Sequence, residues 1–331
     1  MYSKIEAISV HLPGKKLSND DLALQYEGWS SDRIEKKTGI RTRRIAASNE
    51  TASDLGYQAA IKIFETQVVT PQEIDFILFC TESPDFPLPP SACLLQDRLN
   101  IPVKAGAFDF NLGCSGFVYG LGIAHGLIAS AQAEKVLFIT AETYSKYIHP
   151  DDKGVRSIFG DGAAATLITA AAEVGIGPFV YGTDGSGFKN LIVSRSNVRS
   201  REEIMSLGLD ANHPYPGHLF MNGPEIFNFT IQSVPKAVDQ ILTKAGVSMG
   251  EVDHFVFHQA NQYMLEHLRQ KIGIPPEKFI IELSETGNTV SASIPIALDQ
   301  AMTKSRIKPG ELILLVGFGV GYSWAATLIR W

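Results

Sequence analysis

Short apolar runs alternate along the chain with longer stretches whose apolar residues recur at helical spacing. KIEAISVH (4–11), IDFILFC (74–80), GAFDFN (106–111) and KVLFITAE (135–142) read as strands, and FGDGAAATLITA closes a first half. Between them the spacing predicts short helices over DLALQY and SDRIEKKTG, the first with Ser18 and Asn19 as cap candidates. Further helices are predicted from about Thr51 to Phe64, over ACLLQDRL, and from near Cys114. The second half repeats the theme with IGPFVYGTDG, a long helix from Pro224 to Ala245, the strand HFVFH and a helix over 261–271. FIIEL, a helix over 288–304, the strand ELILLVGFG and YSWAATLIRW complete it. This alternation predicts an α/β architecture with mostly parallel strands. The region 186–220 has little periodicity and reads as an inserted loop or flap.

Two segments recur. VTPQEIDFILFC (69–80) returns as VSMGEVDHFVFH (247–258), and AATLI at 164–168 returns at 325–329. Two echoes in the same order imply that one α/β half has been duplicated, as 1–172 and 173–331, with no low-complexity linker between them. Related halves packed face to face bring equivalent strand ends together, so chemistry is expected where their Cys, His and Asn residues converge.

Composition narrows the class. The chain has 331 residues, 45% hydrophobic and 19% charged, as in ordinary globular proteins. A net charge of −6 disfavours nucleic acid or an anionic membrane as the main partner. RTRR (41–44) is a local basic candidate, although a solvated turn explains it better. Three cysteines make neither a disulfide framework nor a zinc site, and a reducing cytoplasm fits them. No signal-peptide core and no run long enough to span a bilayer is expected.

Cys114 lies in DFNLGCSGF, after a strand and at the start of a helix. Unpaired N–H groups and the positive end of the helix dipole there favour a thiolate, the nucleophilic form. Cys80 in a strand and Cys93 in a helix read as structural, so Cys114 is expected to be alkylated first. His258 ends the strand HFVFH and opens HQAN, and Asn288 sits in TGNTVSAS at another loop-to-helix junction. GFGVG (317–321) reads as a Gly-rich turn able to aim a backbone N–H at a carbonyl oxygen. It lacks the setting of a dinucleotide site.

DFNLGCSGF, HQAN, TGNTVSASIP and GFGVGYSWAATLIRW, with TGIRTRRIAASNET (38–51) and FGDGAAA (159–165), resemble β-ketoacyl-acyl carrier protein synthase III of the thiolase superfamily. The resemblance implies a thiolase-like fold: two duplicated α/β halves stacked as a layered α-β-α-β-α body, paired as a homodimer. It implies Cys114, His258 and Asn288 as catalytic residues, with Val320 and Gly319 at the oxyanion loop. Substrate contacts are then expected from Arg33, Lys153, Leu88, Phe159, Gly223, Phe227 and Asn261. Acyl thioesters, with acyl carrier protein as partner, are the implied substrates, and no metal or organic cofactor is required.

Departures from the family pattern bear on the acyl donor. Arg33 stands at the position of the family's adenine-clamping Trp, and Lys153 at that of its Arg partner. Tyr263 replaces a basic residue associated with carrier docking, Leu88 falls where a Phe closes the acyl pocket, and Val320 replaces a frequent Gly. These changes predict that medium-chain acyl groups load faster than acetyl. An acyltransferase acting on an alcohol or amine is the second reading, and a non-catalytic partner subunit the third. Retention of Cys114, His258 and Asn288 favours condensation. A thiolase or hydroxymethylglutaryl synthase would need a second Cys or an acidic base in the matching loops, and neither is expected here.

Overall fold

The computed structural model describes residues 1–196, 198–209 and 213–331. The first half runs β1 (Tyr2–His11), β2 (Lys15–Ser18), α1 (Asn19–Gln25), α2 (Ser31–Thr38), β3 (Thr42–Ile45) and α3 (Ala52–Glu65). It continues with β4 (Phe76–Cys80), α4 (Ser91–Arg98), β5 (Gly106–Phe110), α5 (Gly116–Ala129), β6 (Lys135–Glu142), α6 (Lys153–Arg156) and β7 (Gly162–Ala171). The second runs β8 (Ile176–Thr183), β9 (Leu191–Val193), α7 (Arg201–Ser206), β10 (Leu219–Met221) and α8 (Gly223–Ala245). After it come β11 (His254–Phe257), α9 (Gln262–Ile272), β12 (Phe279–Ile280), α10 (Ser293–Thr303), β13 (Leu312–Gly319) and β14 (Ser323–Arg330).

Two five-stranded sheets carry the repeat, in the orders β1-β7-β6-β4-β5 and β8-β14-β13-β11-β12. Each pairing in one has a counterpart of the same direction in the other. The echoes hold equivalent places. Thr70 and Glu73, like Ser248 and Glu251, close a short turn through two hydrogen bonds of 2.6–2.9 Å. Asp75 accepts from the N–H of Lys135 at the start of β6 (3.0 Å), and Asp253 from that of Leu312 at the start of β13 (2.8 Å). Both AATLI segments take one register: Ala164 faces Thr140, and Ala325 faces Gly317, six residues into β6 and β13.

Half of the pairings in each sheet are antiparallel, against the expectation of mostly parallel strands. A parallel return needs a crossover of a dozen or more residues, usually a helix. Only residues 320–322 join β13 to β14, so β14 must fold straight back.

α3 and α4 cover the outer face of the first sheet, α8 and α9 that of the second, and α5 and α10 fill the space between. α5, GFVYGLGIAHGLIA, is apolar on most sides because both sheets pack against it. Thr42, Arg43 and Arg44 of RTRR lie in the strand β3 rather than in a turn. Arg43 is fully buried, donating to the Ser157 carbonyl and to Asn19 Oδ1, and burial lowers its pKa to about 10. In the region 186–220 the described part holds regular elements rather than a flap: β9 pairs antiparallel with β10, and α7 has its own capping box. Residues 197 and 210–212 of it lie outside the described residues.

Candidate active site

Four strand ends and two helix starts meet between the sheets. Cys114 immediately precedes Ser115, the N-cap of α5, and is 5% exposed. The GFGVG segment is not a turn throughout, because Gly317 and Gly319 belong to β13. Residues two apart in a strand share a face, and these two face the cysteine. A Cβ at Gly317 would lie 2.9 Å from the Cys114 carbonyl, and one at Gly319 2.7 Å from Sγ. The bare strand lets the nucleophile press against it, and the Val320 N–H reaches the sulfur as a hydrogen-bond donor.

His258, 2% exposed, follows β11, with its ring edge-on to Phe318 at 5.5 Å. Ser293 Oγ lies 2.7 Å from His258 Nδ1 and accepts the Gln259 N–H at 3.3 Å. Donation of the Ser293 proton to Nδ1 is the tautomer that leaves the imidazole proton on Nε2. Burial pushes the His258 pKa down to about 3, so the ring is a neutral donor.

Asn288 lies before the helix rather than in it: the helix expected over 288–304 begins at Ser293, after a 3₁₀ turn at Val290–Ala292. Asn288 Oδ1 accepts the Val290 N–H at 2.9 Å, leaving the amide NH₂ for the cavity. The rest of TGNTVSAS joins the halves. Val290 packs on Gly113, whose added Cβ would lie 3.0 Å from it, and Ser291 donates to Glu142 Oε1 at 2.6 Å.

Cys114, His258 and Asn288 open on one cavity of about 420 Å³, in the usual range for small-molecule sites. Phe159, Gly223, Phe227, Asn261 and Gly319 line it as well. So do Leu191 and Met221, from the β9–β10 pair in the region that read as a loop. Tyr263, 65% exposed, stacks on Phe227 at 5.9 Å. Arg33, Lys153 and Leu88 are exposed and line no part of this cavity. Lys153 Nζ sits 5.6 Å from the Tyr26 ring, and the Arg33 N–H donates to Oγ of Ser30, the N-cap of α2. Val320 lines a second cavity of about 800 Å³, with Glu82, Tyr144 and Arg195. Leu191 borders both.

Two expectations fail here. The Cys114 thiol is not poised as a thiolate: burial, then the charge of Glu82, push its pKa far up, and the N–H groups of Val320 and Cys114 offset only part of this. Cys93 is exposed, whereas Cys80 is buried and Cys114 meets only the cavity. The second failure is an acid thought absent. Glu82, two residues beyond β4, holds its carboxylate against Gly113, where a Cβ would lie 2.6 Å from Oε2. Glu142 ends β6, accepting from Ser291, Ser83 and the Glu82 N–H. Burial raises both carboxyls, Glu82 to about 7, and Glu142 further because Glu82 faces it. The repeat contained the signal, since Cys80 aligns with His258 and places Glu82 at the same sheet edge.

The family model for 3-oxoacyl-[acyl-carrier-protein (ACP)] synthase III matches residues 108–185, and that for its C-terminal part matches 242–331. A beta-ketoacyl-[acyl-carrier-protein] synthase III of Xanthomonas campestris pv. campestris is 37% identical over 100% of this chain and 99% of its own. A 2.1 Å crystal structure of a 3-oxoacyl-(acyl-carrier-protein) synthase III is 47% identical, with a TM-score of 0.93 over 100% of both chains. The priming β-ketosynthase of the R1128 polyketide pathway is 30% identical with a TM-score of 0.89, over 99% of this chain and 96% of its own.

Proposed function

The chain belongs to the β-ketoacyl-[acyl-carrier-protein] synthase III family of condensing enzymes, and from that premise we propose that it acts as an acyltransferase through Cys114. The observation that carries this is the convergence of one thiol and two neutral N–H donors on a single cavity. Cys114 sulfur attacks an acyl thioester and the carrier thiol leaves. A malonyl group on acyl carrier protein then enters and loses CO₂. The enolate oxygen takes hydrogen bonds from His258 Nε2–H and the Asn288 amide. Its carbon attacks the acyl-cysteine, whose oxyanion rests on the N–H groups of Cys114 and Val320. Collapse expels the Cys114 thiolate, which takes up a proton from solvent, and releases a 3-oxoacyl thioester. Every group used is a side chain or backbone N–H, so the cycle needs no metal or organic cofactor.

The exposed positions of Arg33 and Lys153 support a donor held more by its acyl chain than by a nucleotide clamp. Medium-chain donors should then load faster than acetyl-coenzyme A, with each buried CH₂ adding about 0.8 kcal/mol. The division at 172/173, a homodimer and a cytoplasmic setting complete the reading. Intact mass after incubation with acyl-coenzyme A and acyl–acyl carrier protein thioesters tests it: wild type should gain one acyl group and Cys114→Ala none. Loading without malonyl decarboxylation would shift the assignment to transfer onto an alcohol or amine.

A further inference from the structure

Loading Cys114 requires that its proton go somewhere. His258 is no acceptor for it: Nδ1 is occupied by Ser293, and burial suppresses the ring's basicity. The Asn288 amide is no base. Glu142 is saturated with donors from Ser291, Ser83 and the Glu82 backbone. Glu82 differs. Its Oε2 is buried and, beyond a hydrogen bond from Tyr144, its carboxylate has no side-chain partner among the described residues, a costly arrangement for a purely structural carboxylate. It lies against Gly113, the residue before the nucleophile, and after burial its charge is the strongest influence on the thiol. It shares the second cavity with Val320, whose N–H reaches the sulfur.

We infer that Glu82 accepts the Cys114 thiol proton as the sulfur attacks the acyl thioester and returns it to the departing carrier thiolate. One S–H bond and the old C–S bond break, a new C–S bond forms, and the proton leaves with the carrier thiol. This role rests on the loading of Cys114 proposed above. A pKa of about 7 suits it, because the group can both take and give a proton near neutrality. The groups facing it are Glu142, Cys80, Cys114, Tyr144 and Tyr147, with Arg195 lining the same cavity.

The test is the single-turnover rate of Cys114 loading from octanoyl-coenzyme A, or from acetyl-coenzyme A if that donor proves better. In the wild type the rate should fall about tenfold per pH unit below about 7 and level off above. Glu82→Gln should load on the order of 10²-fold more slowly and lose that dependence, and Glu82→Asp should restore both in part. Removing a charge that merely opposed the thiolate would do the reverse, so a Glu82→Gln enzyme as fast as wild type or faster overturns the role. If Glu82→Gln does not fold, the wild-type profile decides: a rate climbing steadily through pH 9 follows the thiol alone and overturns it. A wild type that accepts acyl from no donor sinks Cys114 loading and this role together, whereas a loaded wild type with an indifferent Glu82→Gln sinks the role alone.

Discussion

The two halves reach the site with matching strands and opposite chemistry. From β4, β6 and the start of α5 the first half brings a thiol, a buried carboxyl and a half-buried one: Cys114, Glu142 and Glu82. From β11, β13 and the approach to α10 the second brings a neutral imidazole, an amide and a bare glycine: His258, Asn288 and Gly319. Glu142 and Gly319 are the last residues of equivalent strands. Duplication supplied the geometry and, in the proposed mechanism, divergence the division of labour, with one half handling protons and acyl transfer and the other donating hydrogen bonds to an oxygen. Where the first half needed an acid, the second needed nothing at all, because a side chain at 319 would collide with the nucleophile.

The largest test separates the two sets of tasks. His258→Ala and Asn288→Ala should each slow malonyl decarboxylation by on the order of 10²–10³-fold while still loading acyl on Cys114. Failure of loading in these variants, with decarboxylation intact, would break the division.

Opposite pH responses should follow from the same contrast. Glu82, raised to about 7, binds its proton more tightly folded than unfolded, so it costs stability as pH rises from its ordinary 4.5 through 7. Above that range Glu82→Gln should be more stable than wild type by on the order of 3 kcal/mol, and near pH 4 no different. His258, lowered to about 3, runs the other way: its stability contribution is intact above 6.5 and is lost as pH falls towards 3. Urea unfolding of both proteins at pH 4 and pH 8 reads the first effect directly.

Two glycines give the smaller effects. Gly319→Ala places a Cβ 2.6 Å from Cys114 Cβ and should cost about 1–3 kcal/mol while slowing acyl loading. In Gly126→Ala, inside α5, the new methyl meets nothing within 4 Å, so the variant should gain about 0.4–1 kcal/mol with loading unchanged. Equal unfolding midpoints for the two variants would show that crowding at the nucleophile was misjudged.

Much of this was legible because it is periodic or local. The repeat VTPQEIDFILFC and VSMGEVDHFVFH encodes a capped turn, an aspartate tying a strand start and a buried strand, all within twelve residues of chain. Such signals survive in one dimension, as do the helical spacing of α3 and α8 and the motifs around Cys114, His258 and Asn288. Motif reading had a blind side, however. Glu82 stands in CTES, where no local pattern distinguishes an acid on a loop from one pressed against the residue before the nucleophile.

By itself, then, the sequence determined the duplicated α/β plan, the element order and the three residues that meet, because periodicity and short-range capping act along the chain. Only the tertiary structure decided the rest. It buried Arg43 and the Glu82 Oε2, exposed Cys93, and drew Leu191 and Met221 into the cavity wall. It also raised the thiol's pKa where the helix start alone had argued for lowering it. Desolvation and charge pairing depend on what lies across the gap between two sheets, and the residues that face Cys114 there come from segments as distant as β4 and β13.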